Sequence, residues 1–276
     1  MLNIFTIFDI NIIVFIGGIM KNIFKIIILI VCVLMITSFL IMSFGTLNIS
    51  SKNEKINLTP LRVIFTFDDG PNKDNETTER LLDIFNKYQI KGVFCLLGVN
   101  VKKYPKIVKR IYNEGHIIVN HGFSDKIAYF MNDDEFRENL ILGEKAITEA
   151  LGFELFPKLY RPQGGMYNKK KESILIEEGY IIVPFTSRVM EPYSTHKNYE
   201  KKINKIIDIL IKQNGGMILL HDGRDSWKKL ENELNKKPDG AYNRSWIPEA
   251  VEKMIIAFIE NGLIVNEQFD LEKILR

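Results

Sequence analysis

The chain of 276 residues has only two cysteines, Cys32 and Cys95. Two such distant positions make no disulfide framework and none of the paired spacings of a zinc ribbon or finger. No stripe of Lys and Arg is present either. The 37 cationic and 34 acidic side chains are spread along the chain and leave a net charge of +3. That spread argues against a nucleic-acid partner, whose binding needs a clustered basic face. No Gly-x-Gly-x-x-Gly loop follows any candidate strand, which argues against a dinucleotide-binding fold. No Ala-x-Ala site follows the N-terminal apolar run, which argues against a cleaved signal peptide.

That run is the first thing that is there. Residues 26–47 carry no charge and are mostly Ile, Leu, Val, Met and Phe. A bilayer core needs about 20 such residues. Lys21 and Lys25 precede the run, and the positive-inside rule keeps them in the cytoplasm and sends the remainder outside. The sequence thus predicts a hydrophobic region over 1–47 with a single-pass membrane anchor at about 26–47. A polar linker over 48–59 and an extracytoplasmic domain over 60–276 follow. Residues 1–19 are apolar apart from Asp9. They are either an upstream extension of a start at Met20 or a second short membrane segment.

From residue 61 onward, short apolar runs alternate with amphipathic stretches. Strands are expected at 61–67, 91–97, 116–120, 158–161, 180–185, 216–220 and 263–265. Helices are expected at about 77–87, 104–114, 134–151, 169–178, 199–213 and 245–261. This alternation implies an α/β fold of parallel βα units, a distorted (β/α) barrel of about seven parallel strands. The unusual polar residues fall at the C-terminal ends of strands, where barrel enzymes build their sites.

Foremost among them are Asp68 and Asp69 in Leu61-Arg-Val-Ile-Phe-Thr-Phe-Asp-Asp-Gly-Pro71. Two acids at the mouth of an apolar core are costly unless they are paired or bind a cation. Strand alternation predicts that they point to opposite sides and do different jobs, one binding a metal and one handling protons. The alternative is that they are ordinary turn formers. Adjacent acids cannot flank a sugar at the ~5 Å or more that a glycosidase pair needs.

Thr66-Phe-Asp-Asp-Gly-Pro71 resembles the opening motif of the NodB-homology polysaccharide deacetylases, carbohydrate esterase family four. Counterparts of that family's later motifs stand, in order, at His121–Asp125, Arg161–Gly165, Arg188–Glu191 and Leu219–His221. The resemblance covers roughly residues 60–270 and implies a set of roles. Asp69, His121 and Asp125 would hold one divalent ion, Zn, Mn or Co. Asp68 would be the general base, Arg161 would orient it, and His221 would be the general acid. Leu219 and Gly164 would line the substrate pocket. Trp227, in a long polar loop, could stack on a sugar ring. His116 lies at the start of its strand and reads as structural.

Several positions depart from the family's pattern. Asp125 stands in place of a second metal histidine, Gly122 in place of a hydroxyl residue and Gln163 in place of a proline. Arg188 replaces the acid that usually pairs with the motif-three arginine, and Pro192 replaces a tryptophan, while Glu191 still offers a carboxylate. Two carboxylates and one imidazole would neutralise a divalent ion, polarise its ligands less and favour hard ions such as Mn²⁺. The expected activity is hydrolysis of N-acetyl groups from an amino-sugar polysaccharide outside the cytoplasmic membrane. The rivals are a catalytically weak glycan-binding relative and an O-acetyl or non-sugar amide hydrolase on the same fold.

Overall fold

A computed structural model of the chain describes residues 62–73, 76–188, 194–195, 197–222 and 243–265. The expected anchor and linker, Trp227, Glu191 and Pro192 lie outside those residues. Among the described residues no helix is long and apolar enough to cross a membrane.

The strands are β1 (Arg62–Gly70), β2 (Val93–Leu96), β3 (Ile117–Asn120), β4 (Lys158–Tyr160), β5 (Tyr180–Ile182), β6 (Ser187–Arg188), β7 (Gly216–His221) and β8 (Ile264–Val265). The helices are α1 (Thr77–Lys87), α2 (Gly98–Lys103), α3 (Pro105–Asn113), α4 (Asp133–Leu151), α5 (Lys169–Glu177), α6 (Tyr199–Lys212) and α7 (Ile247–Glu260). The strands pair in the order β5-β4-β3-β2-β1-β7-β6, with β8 added to β1. Every pairing is parallel. Among the described residues β5 and β6 end the path without pairing each other, so the barrel is open between them.

The expected parallel barrel is therefore present with two changes. The strand expected last, β8, leaves the main path and pairs only with Arg62 and Val63 at the start of β1. Its place in the path is taken by β6, whose two residues are too few to show a periodicity. The strand expected over 180–185 stops at Ile182. Beyond it, Pro184 has no N–H to give a neighbour, and the Val183 and Pro184 carbonyls turn to Arg161 instead.

Period-2 alternation sorts β1 into two cores. Val63, Phe65 and Phe67 face outward and join Leu81, Leu82 and Phe85 of α1 and Met254, Ile255 and Phe258 of α7. Phe65 lies 5.9 Å from Phe85 and 6.2 Å from Phe258, ring centre to ring centre. The inner face is thinner. Ile64 meets Val93, Cys95, Val119, Leu159, Val183 and Met217 in the barrel lumen. Above this apolar plug the inward positions of β1 turn polar, first Thr66 and then Asp68. Helix α4 carries a capping box, Asn132 with Glu135, and ends at Gly152 in the left-handed region. Its Asn139 pins the loop that follows β3, as described below.

Candidate active site

The end of β1 is bulged. Asp68 is opposite Cys95 and Gly70 is opposite Leu96, so Asp69 is an extra residue with no partner on β2. Asp69 adopts φ 69°, a left-handed conformation rare outside glycine, Asn and Asp. The Asn100 side chain donates to its carbonyl at 2.7 Å, and the Leu97 N–H donates to the Gly70 carbonyl at 3.0 Å. These bonds hold the bulge. The expectation that Asp68 and Asp69 face opposite sides is corrected here. Alternation assumes an unbroken pleat, and the bulge turns both carboxylates to one side. His121 Nε2 lies 3.5 Å from Asp69 and 3.8 Å from Asp68.

Asp68 is buried and tied to Arg161, which donates to it from Nη1 at 2.8 Å. The same nitrogen donates to Thr66 at 2.8 Å, Nε to the Val183 carbonyl and Nη2 to the Pro184 carbonyl. The Nε and Nη2 groups of the guanidinium thus face two backbone carbonyls. Four of the five guanidinium N–H groups are bonded with no acid at position 188. Burial alone would push the Asp68 carboxyl up, but the charges of Arg161, His121 and His221 outweigh it and hold the group down at about 2. Asp68 is thus ionised at any physiological pH.

His121 closes the other side. Its Nδ1 is 2.7 Å from the Arg161 carbonyl. Only a protonated Nδ1 can bond a carbonyl, so Nε2 is left to face the two carboxylates. Burial disfavours a charged imidazole here, but Asp68 and Asp69 win and raise its pKa. The pocket between these side chains calls for a cation. Two donors about 2.1 Å from one tetrahedral ion lie about 3.4 Å apart. The 3.5 Å gap between His121 and Asp69 matches that separation, so these residues fit the divalent ion that the resemblance implies. Asp125 borders the same cavity. Among the described residues, however, no three His, Cys, Asp or Glu side chains converge as a metal cluster. The structure therefore brings together two of the three expected ligands and leaves Asp125 on the wall.

The loop from His121 to Asp125 explains two of the departures together. Gly122 has φ +76°, and a Cβ there would lie 1.9 Å from the Gln163 amide nitrogen and 2.3 Å from that of Asn139. Gln163 fills the volume that a side chain at 122 would need. It donates to the His121 and Ser124 carbonyls and accepts from the Tyr160 hydroxyl at 2.9 Å. Asn139 Oδ1 accepts from the backbone N–H groups of Phe123 at 3.1 Å and Ser124 at 2.9 Å. Gly122 and Gln163 are thus two halves of one contact.

Behind the bulge lies Asp222, fully buried. Thr78 donates to its Oδ2 at 2.6 Å, while Oδ1 has no hydrogen-bond partner. A Cβ on Gly70 would fall 2.6 Å from that oxygen. Burial lifts the Asp222 carboxyl to about 7 against the Thr78 bond, helped by the charges of Asp69 and Asp68.

All of this opens into a cavity of about 290 Å³. Asp68, Asp69, His121, Asp125, Gly164, Leu219 and His221 line it, so seven of the expected site residues share one space. Arg161 stands behind Asp68. His116 is elsewhere: it is buried against Phe85 and Phe94 and accepts from the Gly92 N–H at 3.0 Å. Burial, with Lys91 and Arg110 adding to it, drives its pKa down to about 3. The sequence reasoning missed Ile127, Phe185 and Arg244, which also line the cavity. It saw Arg188 only as a lost acid, yet that side chain too is on the wall. Ile127 sits in an irregular loop with no periodic signal, and Phe185 was read as the end of a strand that in fact stops at Ile182.

Comparison with known proteins gives the same picture. A family model described as polysaccharide deacetylase matches residues 55–183. A Bacillus cereus protein named peptidoglycan-N-acetylglucosamine deacetylase is 32% identical over 171 residues, covering 62% of this chain and 74% of that protein. A second Bacillus cereus protein of the same name is 39% identical over 124 residues, covering 45% of this chain. This chain spans only 44% of the length of that second relative. Among solved structures, a family 4 acetyl xylan esterase from Clostridium thermocellum in complex with a cobalt ion superposes with a TM-score of 0.57 at 26% identity. That match covers 74% of this chain and 86% of the esterase.

Proposed function

The chain belongs to the polysaccharide deacetylase family, and from that premise we propose that it hydrolyses N-acetyl groups on a cell-wall amino-sugar polysaccharide. We place this activity outside the cytoplasmic membrane, with residues 26–47 as the anchor. The observation that carries the reading is the convergence of Asp68, Asp69, His121 and His221 on one cavity. The relatives named for peptidoglycan N-acetylglucosamine support the substrate class, and the cobalt-bound esterase supports a divalent ion.

A divalent ion held by Asp69 and His121 would supply Lewis acidity at the acetyl carbonyl. The rest falls to the chain's own groups. Asp68, kept ionised by Arg161, takes the proton of the attacking water. A carboxylate held this low is a weak base, so orientation by Arg161 is its main contribution. His221 stands beside Asp68 across the β1–β7 pairing. It gives a proton to the departing sugar nitrogen as the carbon–nitrogen bond breaks. Acetate and a free amine are the products. Leu219, Ile127 and Phe185 supply the apolar walls against which the acetyl methyl and sugar ring pack.

The test is acetate release from oligomers of N-acetylglucosamine by the purified chain, before and after chelation and metal restoration. Activity that vanishes with the metal and returns with it supports the reading. No release at any metal loading overturns it. Protease treatment of intact cells tests the location: a protected domain would sink the extracytoplasmic placement. One observation favours a second reading, a weak relative that binds glycan without turnover: Asp125 does not complete a three-ligand cluster. Glycan binding without metal or acetate release would establish it. Release from O-acetylated xylan but not from amino sugars would instead point to an esterase.

A further inference from the structure

We propose that Thr78 is a positioning residue for His221: its hydroxyl fastens the end of β7 to the turn that follows β1 and so fixes where His221 stands relative to Asp68 and Asp69. The proposal rests on the deacetylase reading above and adds to it a residue that touches neither substrate nor metal. Thr78 lies in the first turn of α1. It is fully buried and is not among the residues that line the cavity.

Three observations lead to this reading. First, one hydroxyl serves two segments. Its oxygen accepts from the Asn72 N–H at 2.7 Å, and its single proton goes to Asp222 Oδ2 at 2.6 Å. The Thr78 N–H donates to the Asn72 carbonyl at 3.1 Å, so both polar groups of the Asn72 backbone meet Thr78. Asn72 stands in the turn just beyond Asp69, and Asp222 directly follows His221. Second, strand pairing has run out at this level. The β1–β7 register ends at Asp68 opposite His221. The bonds that hold Asp69 and Gly70 come from the other side, from Asn100 and Leu97 after β2. The Thr78–Asp222 bond carries the link between β1 and β7 past the last backbone pair. Third, the parts fit without slack. Thr78, Asn72 and Asp222 are all buried. The Asp222 carboxyl presses on Gly70, where a Cβ would lie 2.6 Å from Oδ1 and 2.9 Å from Oδ2. Oδ1 has no hydrogen-bond partner, which leaves Thr78 as the side chain that orients the carboxyl. Helix α1 anchors Thr78 in turn, through Leu81, Leu82 and Phe85 in the outer core.

Buried polar groups have no water to replace a lost partner, so they keep the geometry that bonds them. Valine at position 78 has the shape of threonine without the hydroxyl. The Asn72 N–H and the Asp222 carboxyl would each lose a partner, and the strand end that carries His221 would lose its tie to the turn. His221 gives its proton to the departing sugar nitrogen as the carbon–nitrogen bond breaks. A displacement on the order of 1 Å can cost about a hundredfold at such a step. The contacts of Arg161 with Asp68 and His121 do not pass through Thr78. Activation of the attacking water should therefore persist, and the loss should fall on the step that needs the proton.

The experiment measures acetate release by the metal-loaded full chain from two acetyl donors. One is an oligomer of N-acetylglucosamine, whose amine must take a proton to leave. The other is para-nitrophenyl acetate, whose phenolate leaves without one. The variants are Thr78→Val, Thr78→Ser and, as a control for lost stability alone, Val108→Ala in the outer core. Thr78→Val should lower kcat on the oligomer by about tenfold or more, with KM within about twofold and the ester rate within about threefold of the parent. Thr78→Ser keeps the hydroxyl and should recover most of the oligomer rate. Val108→Ala should keep the parent's ratio of oligomer to ester rates. An equal loss on both donors in Thr78→Val would make Thr78 a structural residue only and overturns the proposal, as does an unchanged kcat. Should Thr78→Val fail to fold, Asp222→Ala removes the acceptor of the same bond and should show the same selective loss. Crystal structures of the parent and the variant measure the separation of His221 from Asp68, which should widen; an unmoved imidazole overturns the proposal. If the parent releases no acetate from the oligomer, the deacetylase reading fails by itself, and the position of His221 in the two structures still decides the role of Thr78.

Discussion

Asp68 and Arg188 border the same cavity with only β7 between their strands, yet they are held in opposite ways. Asp68 is 4% exposed and locked to an arginine that bonds a threonine and two carbonyls as well. Arg188 is exposed and bonds nothing in the described protein. The first wall is built from the ends of interior strands paired on both sides. The second is built on a two-residue strand at the open edge of the barrel. A buried polar network fixes atoms for bond making and breaking, because each group has one position in which it is satisfied. A sparse, wet wall leaves a side chain free to meet whatever the substrate brings. Among the described residues the bonded, buried side chains of the cavity belong to β1, β3 and β4 and the turns that follow them, and the exposed arginine belongs to β6.

The sharpest way to break that contrast is Arg161→Met. It leaves Asp68 buried without its partner, a loss of about 3–5 kcal/mol by analogy with broken buried pairs. The same change at Arg188 should move stability by less than about 0.5 kcal/mol, as exposed substitutions do. The pH dependence carries the sign. Asp68 has a folded pKa of about 2, below its ordinary 3.8. Its contribution to stability is complete above the ordinary value and is lost as pH falls through about 2. Arg161→Met should erase that acid-side slope and move the acidic limb of the activity profile to higher pH. Urea titrations across pH on both variants check it, and equal losses at 161 and 188 would dissolve the distinction between the walls.

A smaller effect sharpens the description of the first wall. Gly122→Ser puts a side chain into space held by Gln163, at a backbone conformation that already disfavours it. A destabilisation of about 2–3 kcal/mol is expected from overpacking and strain together. Gln163→Pro alone removes the bonds to His121 and Ser124. The double substitution should cost less than the sum of the two, because it relieves the clash. Strict additivity in chemical denaturation would show that the two positions are independent.

Asp222 tests the wall from behind. Its folded pKa of about 7 lies above the ordinary 3.8. The folded state therefore holds a proton that the unfolded state gives up between those values. Stability should fall as pH rises from about 4 to 7, on the order of 1.4 kcal/mol for each unit of the shift expressed. Asp222→Asn should flatten that slope in chelated protein while keeping the Thr78 bond. A slope that persists in Asp222→Asn would assign it to another group.

These cases show what the chain discloses by itself. The longer strands and helices were legible because apolar periodicity reports burial directly, whereas β6 and the short helix α2 were not; the motif residues were legible because they end those strands. The bulge at Asp69 was not, since alternation is a rule for unbroken pleats and nothing local announces a left-handed aspartate. The exchange between Gly122 and Gln163 was not legible either. Each looks like a defect until the two are seen to occupy one volume, and residues so far apart meet only in three dimensions. Nor were the Val183 and Pro184 carbonyls that bond Arg161 legible, because backbone acceptors leave no pattern of side chains.

The smallest expected effect concerns Asp125, in the loop that follows β3. It lines the cavity but does not converge with Asp69 and His121 in the structure. If it closes on a bound ion, Asp125→Ala should weaken metal affinity by about tenfold, within the range seen when a supporting group near a metal is lost. Asp69→Ala should be far worse, since it removes one of the two donors already in place. Asp125→His replaces a carboxylate by a neutral imidazole and raises the net charge around the ion by one. Groups beside the ion then ionise at lower pH, so the acidic limb of acetate release should move down and Zn²⁺ should gain over Mn²⁺. Metal titrations and pH profiles for the parent and these variants decide it. Identical affinities and profiles for the parent, Asp125→Ala and Asp125→His would make Asp125 a wall residue only. The ion would then be held by Asp69 and His121 with solvent or substrate completing its shell.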